Sequence, residues 1–416
     1  MTHRPAARSV PRPKLLLWVL AAVQFTHVFD FMIVMPLGPH LMRVFGISPA
    51  QFSWLVAAYG VAAALAGFFA GFVMDRFDRR TALLVLYAGF GLSTLACALA
   101  PTYGALLGAR FAAGAFGGVA GSVVGSMVGD VIEPGRRGRA MAVVMSAFPL
   151  ASILGVPAGL SLAAHFDWPA PFFLIAGVAL VVFTVAHRTV PSLRAEHPVA
   201  HPFQQMRAIL SHDLHQRGFL MSAVLVFSGS CVIPFMAPSM VANVGLTEAQ
   251  LPLIYLAGGL ATLVSTPVLG RLTDRFDKLH VLSAISVAGA IVVWVMTRLT
   301  STSIVVAMLM TALFMITMSG RFSPAMAMLT NAVDARYRGG FMSVNSAVQQ
   351  AAGGLANIVA GFFITRAPSG QLQGYSRVGL LSIACLGLTI FLAARLRAAA
   401  PHAARSTPDP LPTTAA

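Results

Sequence analysis

Long apolar stretches separated by short polar segments run along nearly the whole chain. Each stretch has about 20 residues, which is enough to cross roughly 30 Å of hydrocarbon. Twelve such spans, numbered 1 to 12 in chain order, have the approximate limits 15–38, 52–73, 82–101, 103–128, 140–163, 170–187, 218–240, 251–270, 280–297, 303–327, 340–363 and 377–394. Their apolar residues do not alternate with polar ones as in barrel strands, and backbone groups in lipid need partners within their own segment. The pattern therefore predicts an all-α membrane protein with twelve transmembrane helices.

A repeated loop divides this pattern into two halves. Residues 71–80 read GFVMDRFDRR after span 2, and residues 270–279 read GRLTDRFDKL after span 8, so Gly-x-x-x-Asp-Arg-Phe-Asp recurs at an offset of 199. The repeat predicts two pseudo-symmetric six-helix bundles. The predicted segments are an N-terminus at 1–14, bundles at 15–187 and 218–394, a linker at 188–217 and a disordered tail at 395–416.

Composition supports the membrane assignment and charge gives its orientation. The chain is 57% hydrophobic and 10% charged, against about 25% charged residues in soluble domains. The N-terminus, the even-numbered loops and the tail hold 22 of the 28 Lys and Arg residues, which predicts that both termini are cytoplasmic. Only two basic residues are Lys in an alanine-rich chain, which suggests a GC-rich bacterial genome and hence the inner membrane. Because the basic residues are spread over seven segments, we expect no nucleic-acid partner.

The linker carries several histidines, and histidines close together in the sequence can indicate a metal site. These are His197, His201, His212 and His215. No cysteine or carboxylate cluster joins them, so a solvated loop is the favoured interpretation and no metal is expected. The three cysteines lie far apart within apolar spans and read as small buried hydrophobes.

The repeated loop and three further motifs resemble the major facilitator superfamily. The loop is similar to its hallmark Gly-x-Leu-Ala-Asp-Arg-x-Gly-Arg-Arg, with Val73 in place of the usual Leu and Asp78 in place of the second Gly. Further matches are RFAAG at 110–114, a variant antiporter motif GVPAG at 155–159, and DFMIVMPL at 30–37, which is similar to twelve-span drug and metabolite exporters. The antiporter variant departs from the family at Val156 and Leu160.

This resemblance implies a substrate site near the bilayer midplane, between halves that rock to give alternating access. It assigns the loop residues Gly71, Asp75, Arg76, Arg79, Arg80, Gly270, Asp274 and Arg275 to gates. Asp75 would face the start of span 11 near Arg338 and Gly339. By symmetry Asp274 would face the start of span 5 near Arg137 and Arg139. The alternative is that these charges serve only as positive-inside signals.

Three charged residues lie inside spans: Asp30, Arg110 and Arg321. A charge at mid-membrane is costly and normally faces the bundle interior. Asp30 and Arg110 lie at similar depths of roughly 10 to 12 Å, which predicts an ion pair that couples transport to protons. His27 lies one helical turn before Asp30, and Gln24 lies one turn before His27. The alternatives are a static ion pair that fixes helix register, and a histidine that serves packing.

Other polar residues in the spans point to the substrate cavity. Arg321 lies nearer the cytoplasmic side and could meet an anionic substrate group or an inner gate. Asn345 and Gln349 share one face of span 11 and suit either substrate binding or interhelical hydrogen bonds. Pro157, between Gly155 and Gly159, predicts a bend in span 5 because proline removes a helix hydrogen bond.

These features favour a proton-coupled exporter of small organic molecules. A uniporter or proton symporter of a metabolite such as a sugar or amino acid is an alternative, and a non-transporting receptor or assembly factor is another. No metalloprotease motif, serine elbow or pair of acids occurs in a span, so an enzyme is not expected. No P-loop occurs either, so the proton gradient is the expected energy source. We expect a monomer in the bilayer without cofactors.

Overall fold

The structure, a computed structural model, describes residues 13–74, 77–133, 136–192, 202–334 and 337–404. It is almost entirely helical within them. The α-helices are α1 Pro13–Ile33, α2 Gly38–Val44, α3 Pro49–Val73, α4 Arg79–Ala98, α5 Tyr103–Val131, α6 Arg137–Met145, α7 Ala147–Leu150, α8 Val156–Phe166, α9 Ala170–Thr189, α10 Pro202–Ser211, α11 Asp213–Ser230, α12 Met236–Ala242, α13 Leu251–Arg275, α14 Lys278–Met296, α15 Ile304–Gly320, α16 Phe322–Ala332, α17 Arg338–Phe363 and α18 Tyr375–Ala399. A short antiparallel hairpin, Thr365–Arg366 with Leu372–Gln373, joins α17 to α18.

These helices build the predicted spans. Spans 1 to 6 correspond to α1, α3, α4, α5, α6–α8 and α9, and spans 7 to 12 to α11–α12, α13, α14, α15–α16, α17 and α18. Among the described residues, eleven helical segments are long and apolar enough to cross a membrane. The exception is α17, which carries Asn345, Gln349, Gln350 and Asn357. This helix packs along α3 of the other half, so much of its surface meets protein rather than lipid.

Two segment boundaries differ from the sequence prediction. The linker contains helix α10, and the next helix begins at Asp213 rather than near 218. At the other end, α18 continues to Ala399 and a 3-10 turn follows over Pro401–Ala404. Asn331 donates to the carbonyl of Ala403 at 3.4 Å, so the first part of the predicted tail is helical and packs on α16. Residues 1–12, 193–201 (with His197 and His201) and 405–416 lie outside the described residues.

Large apolar side chains face outward on many helices. Leu180 is 67% exposed, Val305 69% and Phe391 55%. Exposed apolar residues in such number need an apolar solvent. The chain is an integral membrane protein, and these faces suit contact with lipid.

We call the side that holds Pro13 and Ala399 the terminus face, and the other side, with α2 and the hairpin, the opposite face. Buried apolar residues form one continuous cluster that crosses from the N-terminal half to the C-terminal half on the opposite face. The rings of Phe52 and Phe235 meet there at 5.9 Å. On the terminus face the C-terminal half has a separate apolar cluster. The two halves are therefore joined on the opposite face.

Span 5 changes its helical geometry at the predicted bend. Residues Ala151–Gly155 form a π-helical turn directly before Val156 and Pro157. The Pro157 ring would clash with the carbonyl of Ile153 in a regular α-helix, which explains the wider turn. Gly259 of span 8 lies on this turn, and a Cβ there would be 2.8 Å from Ile153 Cγ1. The two halves thus touch at this turn through a glycine.

Candidate functional site

Asp30 and Arg110 form a buried ion pair between spans 1 and 4. Arg110 Nη1 lies 2.6 Å from Asp30 Oδ2 and 3.3 Å from the Asp30 carbonyl oxygen. Thr94 of span 3 donates to the other carboxylate oxygen at 3.4 Å. Asp30 is 0% exposed and Arg110 1%. The sequence predicted this contact from depth, and the structure places the two residues together.

Tyr59 of span 2 connects this ion pair to His27. Its hydroxyl lies 3.2 Å from His27 Nδ1, and the Arg110 guanidinium lies 4.8 Å from the centre of its ring. Gly114 and Gly117 of span 4 allow Tyr59 this position, because a Cβ on either would clash with it. Sequence reasoning missed Tyr59, since an aromatic residue in an apolar span carries no signal of its own. The His27–Tyr59–Arg110–Asp30 group therefore connects spans 1, 2 and 4.

His27 and Gln24 carry polar atoms without protein partners. His27 Nε2 and Gln24 Oε1 are both buried and unpartnered. Both point toward Gly121 of span 4, whose Cβ position is 3.2 Å from His27 Nε2 and 3.5 Å from Gln24 Oε1. Both residues are only partly buried as whole side chains. The pair thus offers hydrogen-bonding capacity between spans 1 and 4 for water or for a ligand.

Within the part of the chain that the structure describes, Arg321 of span 10 has no carboxylate beside it. Its Nη1 donates to Ser228 Oγ at 2.8 Å, its Nη2 lies 2.9 Å from Met318 Sδ, and its Nε has no partner. The residue is 1% exposed. In this conformation the contacts of Arg321 are neutral and lie inside the C-terminal half, and its role toward a substrate or a gate stays a prediction.

The span 11 amides differ in their contacts. Gln349 Nε2 donates to Ser222 Oγ of span 7 at 2.8 Å, which is an interhelical hydrogen bond. Asn345 is 2% exposed, and its Oδ1 has no partner. Asn345 keeps the capacity to bind a ligand, whereas Gln349 is already engaged.

The repeated loop stabilises each half through its last aspartate. Asp78 accepts from the Thr81 amide at 3.1 Å, and Asp277 accepts from the Leu279 amide at 3.0 Å, so each caps the helix that follows. Each also holds the end of the sixth helix of its half: Ser192 donates to Asp78 at 2.8 Å, and Arg397 binds Asp277 at 3.1 Å. These contacts explain why the second aspartate is repeated.

The other gate residues occupy varied environments. Arg79 lies 3.4 Å from Asp130, and Arg80 donates to the carbonyl of His187 at 2.6 Å, both within the N-terminal half. Asp75 and Arg76 lie outside the described residues. Gly71 lies 4.0 Å, measured from its Cβ position, from Ser343 Oγ of span 11, while Gly270 has open space around it. Asp274 and Arg275 are exposed.

The predicted contact of Asp274 with Arg137 or Arg139 is absent from the described ion pairs. Arg137 instead donates to the carbonyl of Ile132 at 2.8 Å. The apolar cluster joins the halves on the opposite face, away from these residues. Because a gate contact of this kind forms only while its side of the protein is closed, the prediction stays untested.

No group of three or more His, Cys, Asp or Glu residues in the described ranges is placed to hold a metal ion. His212 and His215 stack on one another at 4.5 Å. His215 Nδ1 lies 3.0 Å from the carbonyl oxygen of Ile209. These two linker histidines thus pack at the start of span 7.

Two joined helical halves are the architecture of many secondary transporters, and here a buried ion pair joins spans 1 and 4. A sequence model of the Major Facilitator Superfamily matches residues 20–215 and 218–415. The chain therefore belongs to this superfamily of membrane transporters.

Curated relatives agree with this membership. An uncharacterized MFS-type transporter, YceJ of Bacillus subtilis (strain 168), is 26% identical over 66% of this chain and 71% of its own length. Multidrug resistance protein 2 of the same organism is 21% identical over 70% of this chain and 74% of its own. The niacin transporter NiaP of Acinetobacter baylyi is 29% identical over 42% of this chain and 40% of its own.

Solved structures share the fold. A bacterial homologue of the human lysosomal transporter Spinster, in an inward-facing and occupied conformation, has a TM-score of 0.71 at 15% identity, covering 95% of this chain and 99% of its own. A peptide transporter POT in complex with alafosfalin has a TM-score of 0.73 at 14% identity, covering 94% and 95%. Each structural similarity covers the two halves of this chain.

Proposed function

We propose that this transporter exchanges protons for small organic molecules, and that it moves these molecules out of the cell. The observation that carries the proposal is the Asp30–Arg110 ion pair, which is 2.6 Å long and shielded from solvent. The supporting similarity is to a multidrug resistance protein. The energy source is the proton gradient.

Proton exchange follows from the cost of a buried charge. While Arg110 is in contact, Asp30 remains an anion because its charge is matched and hydrogen-bonded. If rocking is accompanied by a shift of span 4 against span 1 within the N-terminal half, Arg110 is withdrawn, and the lone carboxylate takes up a proton rather than stay charged in a poorly solvated site. Return of Arg110 releases that proton. Because rocking also changes the side to which the cavity opens, uptake and release occur on opposite sides.

His27 would connect this pair to the cavity. Its Nδ1 binds Tyr59, which also contacts Arg110, while its unpartnered Nε2 faces Gly121. A neutral imidazole has one N–H donor and one acceptor nitrogen, so it can pass a proton between two partners. His27 is therefore placed where it would receive protons from the cavity, with Gln24 one turn away to bind water or substrate.

Arg321 favours a second candidate function. A buried cation with Ser228 and Met318 as partners attracts an anionic ligand more strongly than a neutral one. The second candidate is thus a uniporter or proton symporter of a metabolite that carries a carboxylate. In that case Arg321 would bind the substrate charge and Asn345 would supply a hydrogen bond.

Transport into everted membrane vesicles tests both candidates. Vesicles are energised, and a pH-sensitive dye follows the gradient while lipophilic cations, carboxylates and neutral compounds are added in turn. The proposal predicts that at least one compound partly collapses the gradient, and that Asp30→Asn abolishes this response at equal membrane abundance. Full coupling in Asp30→Asn would overturn proton exchange at this site. A response only to carboxylates, lost in Arg321→Gln but not in Arg110→Lys, would favour the second candidate.

We also propose that the protein lies in a bacterial inner membrane with both termini in the cytoplasm. We propose further that it functions as a monomer. The bias of Lys and Arg supports the orientation. Fusing a reporter enzyme that is active only in the cytoplasm to the C-terminus, and to the hairpin at Ser369, tests the orientation. Activity at the terminus and none at Ser369 is expected, and the reverse pattern would contradict it.

A further inference from the structure

Arg43 and Glu248 join the two halves on the opposite face. Arg43 Nη1 lies 2.5 Å from Glu248 Oε1, and Nη2 lies 3.2 Å from Oε2, so the guanidinium binds the carboxylate through two hydrogen bonds. Arg43 belongs to α2 of the N-terminal half. Glu248 lies in the turn before span 8, which a reciprocal cap between Thr247 and Gln250 stabilises. A two-point contact of this kind fixes geometry as well as charge.

His40, one turn before Arg43, lies between two carboxylates. Its Nε2 is 2.9 Å from Asp167 Oδ1, and its Nδ1 is 3.4 Å from Glu248 Oε2. Ionised carboxylates only accept hydrogen bonds, and a neutral imidazole has a single N–H to donate. The contact to Asp167 is a hydrogen bond, and the contact to Glu248 is an ion-pair distance, so only the imidazolium attracts both carboxylates at once. One of them belongs to each half of the protein.

Asp167 is held toward His40 in a strained backbone conformation. Its φ is 119° and its ψ is 168°, a region that is almost restricted to glycine. Its Oδ1 also accepts from the Trp168 amide at 2.7 Å. Strain of this kind persists only where surrounding contacts impose it, and it concentrates at functional sites. At this position the strain places a carboxylate beside His40.

We propose that Arg43, Glu248, His40 and Asp167 form an ionic latch that holds the opposite face closed, and that protonation of His40 tightens it. The latch goes beyond the proposed function. It depends on the rocking of two halves that the superfamily fold provides, and not on proton exchange at Asp30. Opening the opposite face separates Glu248 from Arg43 and His40, so protons bound at His40 favour the closed state.

Histidine is the one residue type in the latch whose side chain ordinarily changes charge between pH 5 and 8. The hydrogen bond to Glu248 raises the pKa of Arg43, so Arg43 stays cationic, while carboxylates stay ionised above about pH 5. Helix α2 also packs on α3 and α12, and neither helix carries a charged residue. The charged groups that face His40 are thus Asp167, Glu248 and Arg43.

Partial exposure limits the strength of each contact but not the effect on conformation. The Arg43 side chain is 60% exposed and that of His40 is 20% exposed, so each ion pair alone is weak. A transporter alternates between states of similar free energy, and a small difference in interaction shifts their populations. A weak latch is therefore sufficient, and a strong one would prevent opening.

Distance measurements between spin labels on the opposite face test the latch. Labels at Ala105→Cys and Ser369→Cys report on the two halves at exposed positions away from the four residues. Cys385→Ala removes the partly exposed thiol, whereas Cys97 and Cys231 are 0% exposed and remain. The protein is measured in lipid nanodiscs at about pH 8 and about pH 5, without substrate or gradient. Asp30→Asn serves as a second background to remove protonation of the ion pair.

The latch predicts that acidification raises the ratio of closed to open molecules by about threefold or more, in both backgrounds. His40→Gln should remove this response, and Glu248→Gln should lower the closed fraction at both pH values. Asp167→Gly relieves the strain, so it should raise the unfolding temperature while weakening the pH response. A wild-type ratio that is constant or falls on acidification would overturn the proposal. So would an undiminished response in His40→Gln. Failure of proton-coupled transport would leave this result unaffected.

Discussion

Arg110 and Arg321 are equally buried, at 1% exposure each, but among the described residues only Arg110 has a carboxylate partner. The two buried charges therefore differ in whether a neighbouring carboxylate compensates them. Arg110 neutralises Asp30, whereas Arg321 is a desolvated cation bound by a hydroxyl and a thioether. The first contact stabilises the N-terminal bundle, and the second leaves a positive charge in the C-terminal bundle.

Replacing each arginine by methionine should have opposite effects on stability. Arg110→Met leaves the buried Asp30 carboxylate without its partner and should lower the free energy of unfolding by about 3–5 kcal/mol. Arg321→Met removes an unmatched charge, so it should leave stability unchanged or raise it. Thermal unfolding with a thiol-reactive dye measures both, because Cys97 and Cys231 are 0% exposed in the folded protein. Asp30→Asn with Arg110→Met should recover much of the loss. Equal destabilisation by the two single variants would contradict this view of Arg321.

The Tyr59 hydroxyl and the Tyr59 ring should make separable contributions. Tyr59→Phe keeps the ring beneath Arg110 but removes the hydrogen bond to His27, which should cost about 1 kcal/mol. Tyr59→Leu also removes the cation–π contact and leaves a cavity, which should cost about 2–4 kcal/mol in total. The same thiol assay measures both variants. A Tyr59→Phe loss as large as that of Tyr59→Leu would show that the ring contributes little.

Two glycines of span 4 make a matched pair for testing helix packing. A Cβ at Gly114 would lie 2.2 Å from the backbone oxygen of Tyr59, whereas one at Gly108 would meet nothing within 4 Å. Gly114→Ala should therefore cost about 1–3 kcal/mol or more by forcing spans 2 and 4 apart. Gly108→Ala should be neutral, or stabilising by up to about 1 kcal/mol. Similar unfolding temperatures for the two variants would contradict the close approach at Gly114.

The sequence predicted the spans, the two halves and the Asp30–Arg110 contact, because depth along a helix follows directly from residue count. It could not predict how each helix is rotated about its axis. That rotation, which packing determines, directs Arg321 toward Ser228 and Gln349 toward Ser222. Tyr59 was missed for the same reason.

Loop residues were harder to interpret than span residues. Arg43 and Glu248 are 205 positions apart and carry no motif, so only the fold brings them together. Asp78 and Asp277 were visible in the sequence as part of the internal repeat, but their helix-capping bonds needed coordinates. The polar residues of α17 are explained by its packing against α3 of the other half.

The most direct test of the central claim compares two transport modes in Asp30→Asn. Purified protein in liposomes is assayed for substrate accumulation driven by a pH gradient, and for exchange of labelled against unlabelled substrate without a gradient. Exchange requires rocking and binding, whereas accumulation also requires a proton on Asp30. The account predicts that Asp30→Asn loses gradient-driven accumulation and keeps exchange, while the wild type performs both. Accumulation at the wild-type rate in Asp30→Asn would contradict the role of Asp30 in proton coupling.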